Sequence, residues 1–181
     1  MNPSEVLTRC LRYFYRASLR RKGACIANDL QFFDSFFSGE PKSLTIGIST
    51  YLEKGVKIVA YSQEPNHVAE LKIGSHCFIN HYAFIDCHHQ ITIEDRCLIG
   101  PYAYICDFDH VTVTEQERFS TAPVCIQSDV WIGAHACILK GVTVGHHSII
   151  AAGAVVTDSI PPFSIAAGVP ARVVKKIQSN D

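Results

Sequence analysis

The chain is predicted to fold as an all-β solenoid, a coil of short parallel strands, on three observations. Ile126, Ile132, Ile138, Val144, Ile150 and Val156 keep an unbroken six-residue beat. The same frame appears earlier as Ile46, Leu52, Ile58, then Ile73, Ile79, Ile85, then Ile93, Ile99, Ile105. Small or aliphatic residues recur four places on, at Cys77, Ala83, Cys97, Ala103, Val130, Ala136, Val142, Ser148 and Ala154. A helix repeats every ~3.6 residues and a strand every ~2, so neither alone sustains a period of six. Three flat sides of about six residues, roughly eighteen to a triangular turn, do so if the aliphatic residues stack up the inside.

The elements follow in order. Residues 1–43 read as an N-terminal helical cap. Asn2 and Pro3 supply an N-cap and a first-turn proline, and Val6, Leu7, Cys10, Leu11 and Phe14 follow at helical spacing. The opposite face carries arginines. With Tyr13, Phe14 and Tyr15 beside them, this helix either packs on the end of the solenoid with a solvated basic face or lies on an anionic membrane surface. Leu30 to Phe37, rich in phenylalanine, ends at the turn signal Ser38-Gly39-Glu40-Pro41 and is expected to cover the first coil. The coil itself is assigned to 44–160. It slips once around Ser62 to Asn66, a turn or small loop, and again over about 108–123, a polar loop containing Thr114 to Arg118. Loops that leave a rigid scaffold are where binding groups tend to sit. Ile160-Pro161-Pro162 ends the coil, and 161–181 form a C-terminal tail.

Composition narrows the function classes. A chain of 181 residues with 48% hydrophobic content suits one domain with an ample core. A net charge of -1 argues against nucleic-acid binding, which normally needs a basic surplus. No apolar run reaches the ~18 residues of a membrane span, and Arg9, Arg12, Arg16, Arg20, Arg21 and Lys22 interrupt any signal-like stretch. A cytoplasmic location follows as the expectation, with the inner face of the membrane as the alternative the basic helix raises. The eight cysteines contain no Cys-x-x-Cys pair, and Cys77 and Cys97 fall on inward positions, so they are expected to be reduced and structural. Cys87-His88-His89 is the one cluster with ligand chemistry. Adjacent strand residues point to opposite faces, so no metal site is expected there.

Val130-Trp131-Ile132-Gly133, Gly141-Val142-Thr143-Val144-Gly145 and Ala167-Gly168-Val169-Pro170-Ala171-Arg172 closely resemble the hexapeptide-repeat acyltransferases. The likeness is to the sugar O-acetyltransferases of the maltose, galactoside and nodulation-factor type, and it covers about 73–177. It implies a left-handed parallel β-helix, a homotrimer, and acetyl-coenzyme A bound between subunits. Left-handedness comes from the resemblance alone and runs against the usual right-handed crossover.

The resemblance places His110 as the catalytic histidine, at the rim before the protruding loop. The chemistry asks for that residue type, because a hydroxyl attacking a thioester must lose its proton and imidazole titrates near neutral pH. Asp86, Asp107, Asp109 or a backbone carbonyl are alternative partners for orienting it. Asn80 matches a family asparagine that lines the acceptor pocket, where an amide can hold developing oxyanion charge; a corner asparagine is the plainer reading. His81 and Tyr82 are candidates for the same pocket. Trp131 matches a family residue at the cofactor and acyl site, with subunit-interface packing as the alternative. Gly133, Ala134, Ala152 and Gly153 match backbone positions beside the pantetheine arm. Arg172, Lys175 and Lys176 are the candidate phosphate-binding cluster. Related enzymes often carry a lysine where this chain has Asp158 after Thr157.

The acceptor is expected to be a small molecule or glycan precursor. The basic start, with Arg20-Arg21-Lys22-Gly23-Ala24, looks more like polysaccharide-type O-acetyltransferases than the small soluble sugar enzymes. An amino-sugar nucleotide or serine acceptor stands as the enzymatic alternative. Outside acyl transfer, the rivals are a scaffold and a γ-carbonic-anhydrase-like zinc protein using His76, His81 and His110.

Overall fold

The computed structural model describes residues 13–32, 35–62, 66–111 and 118–178. Its core consists of three largely parallel sheets in which each strand pairs with the strand one coil away. The first face runs Cys25–Ile26, Leu44–Ile46, Glu70–Ile73, Gln90–Ile93, Val124–Ile126, Thr143–Val144. The second runs Gln31–Phe32, Tyr51–Leu52, Phe78–Ile79, Leu98–Ile99, Trp131–Ile132, Ile149–Ile150, Ser164–Ala167, Arg172–Lys176. The third runs Phe36–Gly39, Lys57–Ala60, Phe84–Cys87, Tyr104–Cys106, Cys137–Ile138, Val155–Val156. The chain therefore visits the three faces in turn, coil after coil. Every member of the six-residue beat is buried, and so is every one of the small residues four places on. Register stacks like on like: Ile46, Ile73, Ile93, Ile126 and Val144 form one internal column. At about 25 cal/mol per Å² of apolar surface removed from water, these columns are the main stabilising feature of the fold.

The ends differ from expectation. Residues 25–32 and 35–39, assigned to the helical cap, belong to the first coil: Ile26 pairs with Ile46, Phe32 with Leu52, and Phe37 with Ile58. Aromatic residues and a five-residue step from Phe32 to Phe37 hide the beat there. Residues 13–21 are helical. Leu19 is buried, while Arg20 Nε donates to the Ile26 carbonyl at 2.8 Å and Arg16 donates to that of Leu30. Two of the basic residues thus satisfy carbonyls at the open end of the coil, and Tyr13, Phe14, Arg21 and Lys22 remain exposed. The N-cap at Asn2 and Pro3 lies outside the described residues. Among the described residues no helix is long and apolar enough to cross a membrane.

At the other end the coil continues past Ile160. Ile160 bridges Val144, and Ser164–Ala167 adds a parallel strand to the second face. Arg172–Lys176 then folds back antiparallel on it. The reversal covers the final edge of the sheet and carries charge on it, which blunts edge-to-edge pairing.

Among the described residues, irregular stretches gather at the corner where the third face passes to the first: residues 61–62 and 66–69, residues 88–89, and the break after Cys106. The last of these, expected as a loop, is a hairpin in its described part. Phe108–Val111 pairs antiparallel with Arg118–Thr121.

The seven described cysteines are free thiols. Burial pushes Cys106 up to about 11 and raises Cys87 as well, with Asp107 adding to the latter. Thiolate is the reactive form. Native protein treated with iodoacetamide at about pH 8 should therefore be labelled first at Cys25 among these seven, with Cys87, Cys97 and Cys106 labelled only on unfolding. Peptide mass spectrometry of native and denatured samples checks this. Rapid native labelling of Cys106 would contradict the packing.

Candidate functional site

A groove of about 530 Å³ runs along the outside of the second face. Its floor is the outward row of that sheet, Phe78, Leu98, Trp131 and Ile149, each in register with the next. Strand alternation puts Ile79, Ile99, Ile132 and Ile150 inside and leaves this row outside. Trp131 is 51% exposed and Leu98 46%, a large apolar surface on a small protein. One wall is the corner to the third face, built by Asn80, Gly100, Pro101, Gly133, Ala134, Ala151 and Ala152.

The smallness of this wall has two causes. A Cβ on Gly133 would sit 2.5 Å from the Ala152 amide nitrogen, and one on Gly100 2.7 Å from that of Ala134, so both glycines are required by the approach of successive coils. Gly153 differs: nothing lies within 4 Å of a Cβ there, but its φ of +70° is the left-handed conformation that disfavours other residues. The rung positions above it, Tyr82, Tyr102 and His135, adopt φ of 57°, 57° and 55°. Their rings stack, at centroid separations of 5.2 and 4.9 Å. This ladder opposes the backbone cost of the left-handed corner.

The structure thus gathers Asn80, Trp131, Gly133, Ala134 and Ala152 into one groove, with Gly153 at its edge. The Asn80 Oδ1 accepts the His81 backbone N–H at 2.7 Å, which leaves Nδ2 as the donor end. The tail cations share the second-face sheet. Arg172 is paired with Asp158 at 3.0 Å, so the acidic departure noted in the sequence is in contact with the candidate phosphate ligand. Both side chains are more than 60% exposed, so the pair is weak and an anion could displace it. Lys176 Nζ donates to Ser164 Oγ at 2.9 Å, and Lys175 is exposed.

His110 stands apart from this groove within the chain. It is exposed on the hairpin, at the corner between the third and first faces, paired across with Phe119. In a three-sided coil that corner is opposite the second face. The base of the hairpin is fixed firmly. Phe108 is buried against His88, ring centroids 4.2 Å apart, and Lys140 reaches Asp109 at 3.1 Å and Ser120 Oγ at 2.7 Å.

The three carboxylates considered as orienting partners for His110 are engaged elsewhere. Asp107, fully buried, accepts the backbone N–H groups of His88 and His89, both at 2.8 Å. Asp109 holds Lys140. Asp86 lies 3.1 Å from His88 Nε2 and accepts from the Tyr104 hydroxyl at 3.5 Å. Burial raises the Tyr104 hydroxyl well above the usual phenol range, with Cys106 and Asp86 adding to the shift. The sequence could not distinguish anchor from orienting group, because both roles use an aspartate beside the histidine. Among the described residues no group of three His, Cys, Asp or Glu is arranged to hold a metal ion.

The chain is similar to several known proteins. Residues 126–158 match the family model described as bacterial transferase hexapeptide (six repeats). The galactoside O-acetyltransferase of Escherichia coli (strain K12) is 33% identical over 140 residues, 76% of this chain and 66% of that protein. A probable acetyltransferase of Mycobacterium tuberculosis is 36% identical over 117 residues, 62% of this chain and 39% of that protein. The chain therefore spans less than two thirds of the length of either relative. Among solved structures, a galactoside acetyltransferase in complex with coenzyme A superposes with a TM-score of 0.63 at 28% identity, covering 100% of this chain and 76% of that one.

Proposed function

The chain belongs to the hexapeptide-repeat transferase family, and we propose that it moves an acetyl group from acetyl-coenzyme A to a hydroxyl of a sugar or glycan precursor, working as a homotrimer of left-handed parallel β-helices. The observation that carries this reading is the second-face groove. It has an apolar floor for an extended thioester arm, a wall of main chain exposed by small side chains, and one amide, Asn80, at its edge. A ligand site of this kind is expected to be largely apolar with a few placed polar groups.

The placement of His110 supports the oligomeric part of the proposal. Its corner lies opposite the groove, so a site that uses both His110 and Asn80 takes them from two copies of the chain. In the proposed reaction His110 of one subunit removes the proton of the acceptor hydroxyl as its oxygen attacks the thioester carbonyl in the neighbouring groove. The resulting tetrahedral oxyanion is held by N–H donors, Asn80 Nδ2 among them. Collapse expels the coenzyme A thiolate, which takes the proton back from His110. No bond to the protein forms, and the cysteines have no part in it. Holding both reactants in one groove supplies much of the rate. The exposed residues of the N-terminal helical segment, Tyr13 and Phe14 at its start and Arg21 and Lys22 at its close, suit a cytoplasmic enzyme touching the inner face of a membrane.

Thiol release from acetyl-coenzyme A, measured across galactosides, nucleotide sugars and glycan precursors, tests the activity. Acetyl-coenzyme A at about a hundred times its Kd should also stabilise the native protein by about 2.7 kcal/mol, visible as a rise in Tm. A protein with no thermal response to acetyl-coenzyme A would be a scaffold. Stoichiometric zinc without thiol release would favour the carbonic-anhydrase-like rival.

A further inference from the structure

We propose that Glu53 and His81 form a positioning pair that fixes the Asn80 carboxamide with its Nδ2 toward the groove, an inference that rests on the acetyl-transfer reading of that groove. Register brings the three residues together. Tyr51 and Leu52 pair with Phe78 and Ile79, so Glu53 lies directly over Asn80 on the neighbouring coil, tied by its N–H to the Ile79 carbonyl at 2.9 Å. His81 follows Asn80 at the corner, where its carbonyl accepts the Tyr102 N–H at 3.0 Å.

The hydrogen-bond chemistry leaves little choice of roles. A backbone N–H only donates, so the Asn80 atom 2.7 Å from the His81 nitrogen is the carbonyl oxygen. That same oxygen lies 2.7 Å from His81 Nδ1. On the other side of the ring, His81 Nε2 lies 3.6 Å from Glu53 Oε2. Both ring nitrogens face acceptor oxygens, so the ring is engaged by Asn80 on one side and by Glu53 on the other. Its effect falls on Asn80. The terminal torsion of an asparagine is broad and soft, so a carboxamide held by one backbone N–H alone can rotate. Gripping the same oxygen twice, with the Glu53 carboxylate holding the ring in place, keeps the two Nδ2 hydrogens aimed at the groove. An oxyanion donor is effective because it is preorganised. The Glu53 side chain is 23% exposed, about half as much as that of His81, which suits it to anchor the ring from behind.

The test combines crystal structures with kinetics on the whole chain. In His81→Phe the coil should be unchanged while the Asn80 side chain turns or spreads over several rotamers; Glu53→Gln should give the same effect more weakly. With a p-nitrophenyl galactoside as acceptor, His81→Phe should lower kcat about tenfold and leave KM for acetyl-coenzyme A within about twofold. His81→Gln, which keeps an N–H donor, should recover part of the loss. The double variant Asn80→Ala/His81→Phe should be no slower than Asn80→Ala, because a residue that acts through another adds nothing once that one is gone. An Asn80 rotamer unchanged in His81→Phe, or a further loss of kcat in the double variant, would overturn the proposal. If Asn80→Ala itself turns over at the wild-type rate, the reading of the groove fails instead, and the crystal structures still decide whether the pair holds the amide.

Discussion

Replacing His110 with alanine is expected to lower acetyl transfer by about 10²–10⁴-fold, the usual contribution of a positioned general base. Acetyl-coenzyme A should continue to raise the Tm of the variant as it does that of the wild type. The two readouts separate because His110 and the groove belong to different corners of the coil. His110 is exposed on the hairpin with its ring edge-on to Phe108 at 5.6 Å, and the strand that carries it is held mainly by buried Phe108, by Asp109 and by the pairing with 118–121. Truncating an exposed side chain away from the core usually changes stability by no more than about 0.5 kcal/mol. The kinetic signature should be a fall in kcat with KM for acetyl-coenzyme A little changed, because the lost interaction forms in the transition state. A His110→Ala protein that binds acetyl-coenzyme A and keeps near-normal turnover would sink the assignment and return attention to groups within the groove.

The coil was legible in the sequence wherever its inward positions were aliphatic and evenly spaced. From Ile46 to Val156 the residues of the beat are the buried columns. The reading failed where the same positions were filled differently. Phe37 does the work of an isoleucine in the first coil, one step short of the period after Phe32, and Ala166 does so beyond the Pro161-Pro162 turn. Coil closure depends on side-chain volume and corner geometry together, and a pattern search on Ile, Val and Leu sees neither an aromatic nor an alanine that fits. The groove was legible because its residues recur in the repeat: Asn80 and Gly133 take the same corner position, and Ala134 and Ala152 take the one after it. The tie from Glu53 to His81 was not, because the two meet only through the register of adjacent coils. The break after Cys106 was seen, but its hairpin was not, since the alternation of Phe108–Val111 and Arg118–Thr121 is short and interrupted by charge. The role of Asp107 was the hardest to read. Next to a predicted catalytic histidine an aspartate suggests an orienting acceptor, and only burial and partners show an anchor.

Asp107→Ala should therefore act on folding more than on chemistry, with a loss of stability of roughly 2–6 kcal/mol measured by urea unfolding. The Asp107 side chain is inaccessible to water, and its two oxygens separately accept the N–H groups of His88 and His89 at 2.8 Å. Removing the carboxylate leaves two donors at that corner without an acceptor, and each such loss costs about 1–3 kcal/mol. Asp107→Asn should be milder, because one carbonyl oxygen remains to accept while the amide nitrogen meets a second donor. The damage should spread to the hairpin, since Phe108 follows Asp107 directly and packs on His88, and the Ala122 N–H on the returning strand donates to the Asp107 carbonyl at 2.9 Å. Turnover should fall in proportion to the loosening of the hairpin, while the pH dependence of the surviving activity keeps the wild-type shape. An orienting carboxylate would behave in the opposite way. Its removal would leave the unfolding midpoint nearly unchanged and displace the pH profile of kcat, because the proton affinity of the His110 imidazole would have lost its partner. Measuring the unfolding midpoint and the pH profile on the same variant decides between an aspartate that builds the platform and one that takes part in the proton transfer.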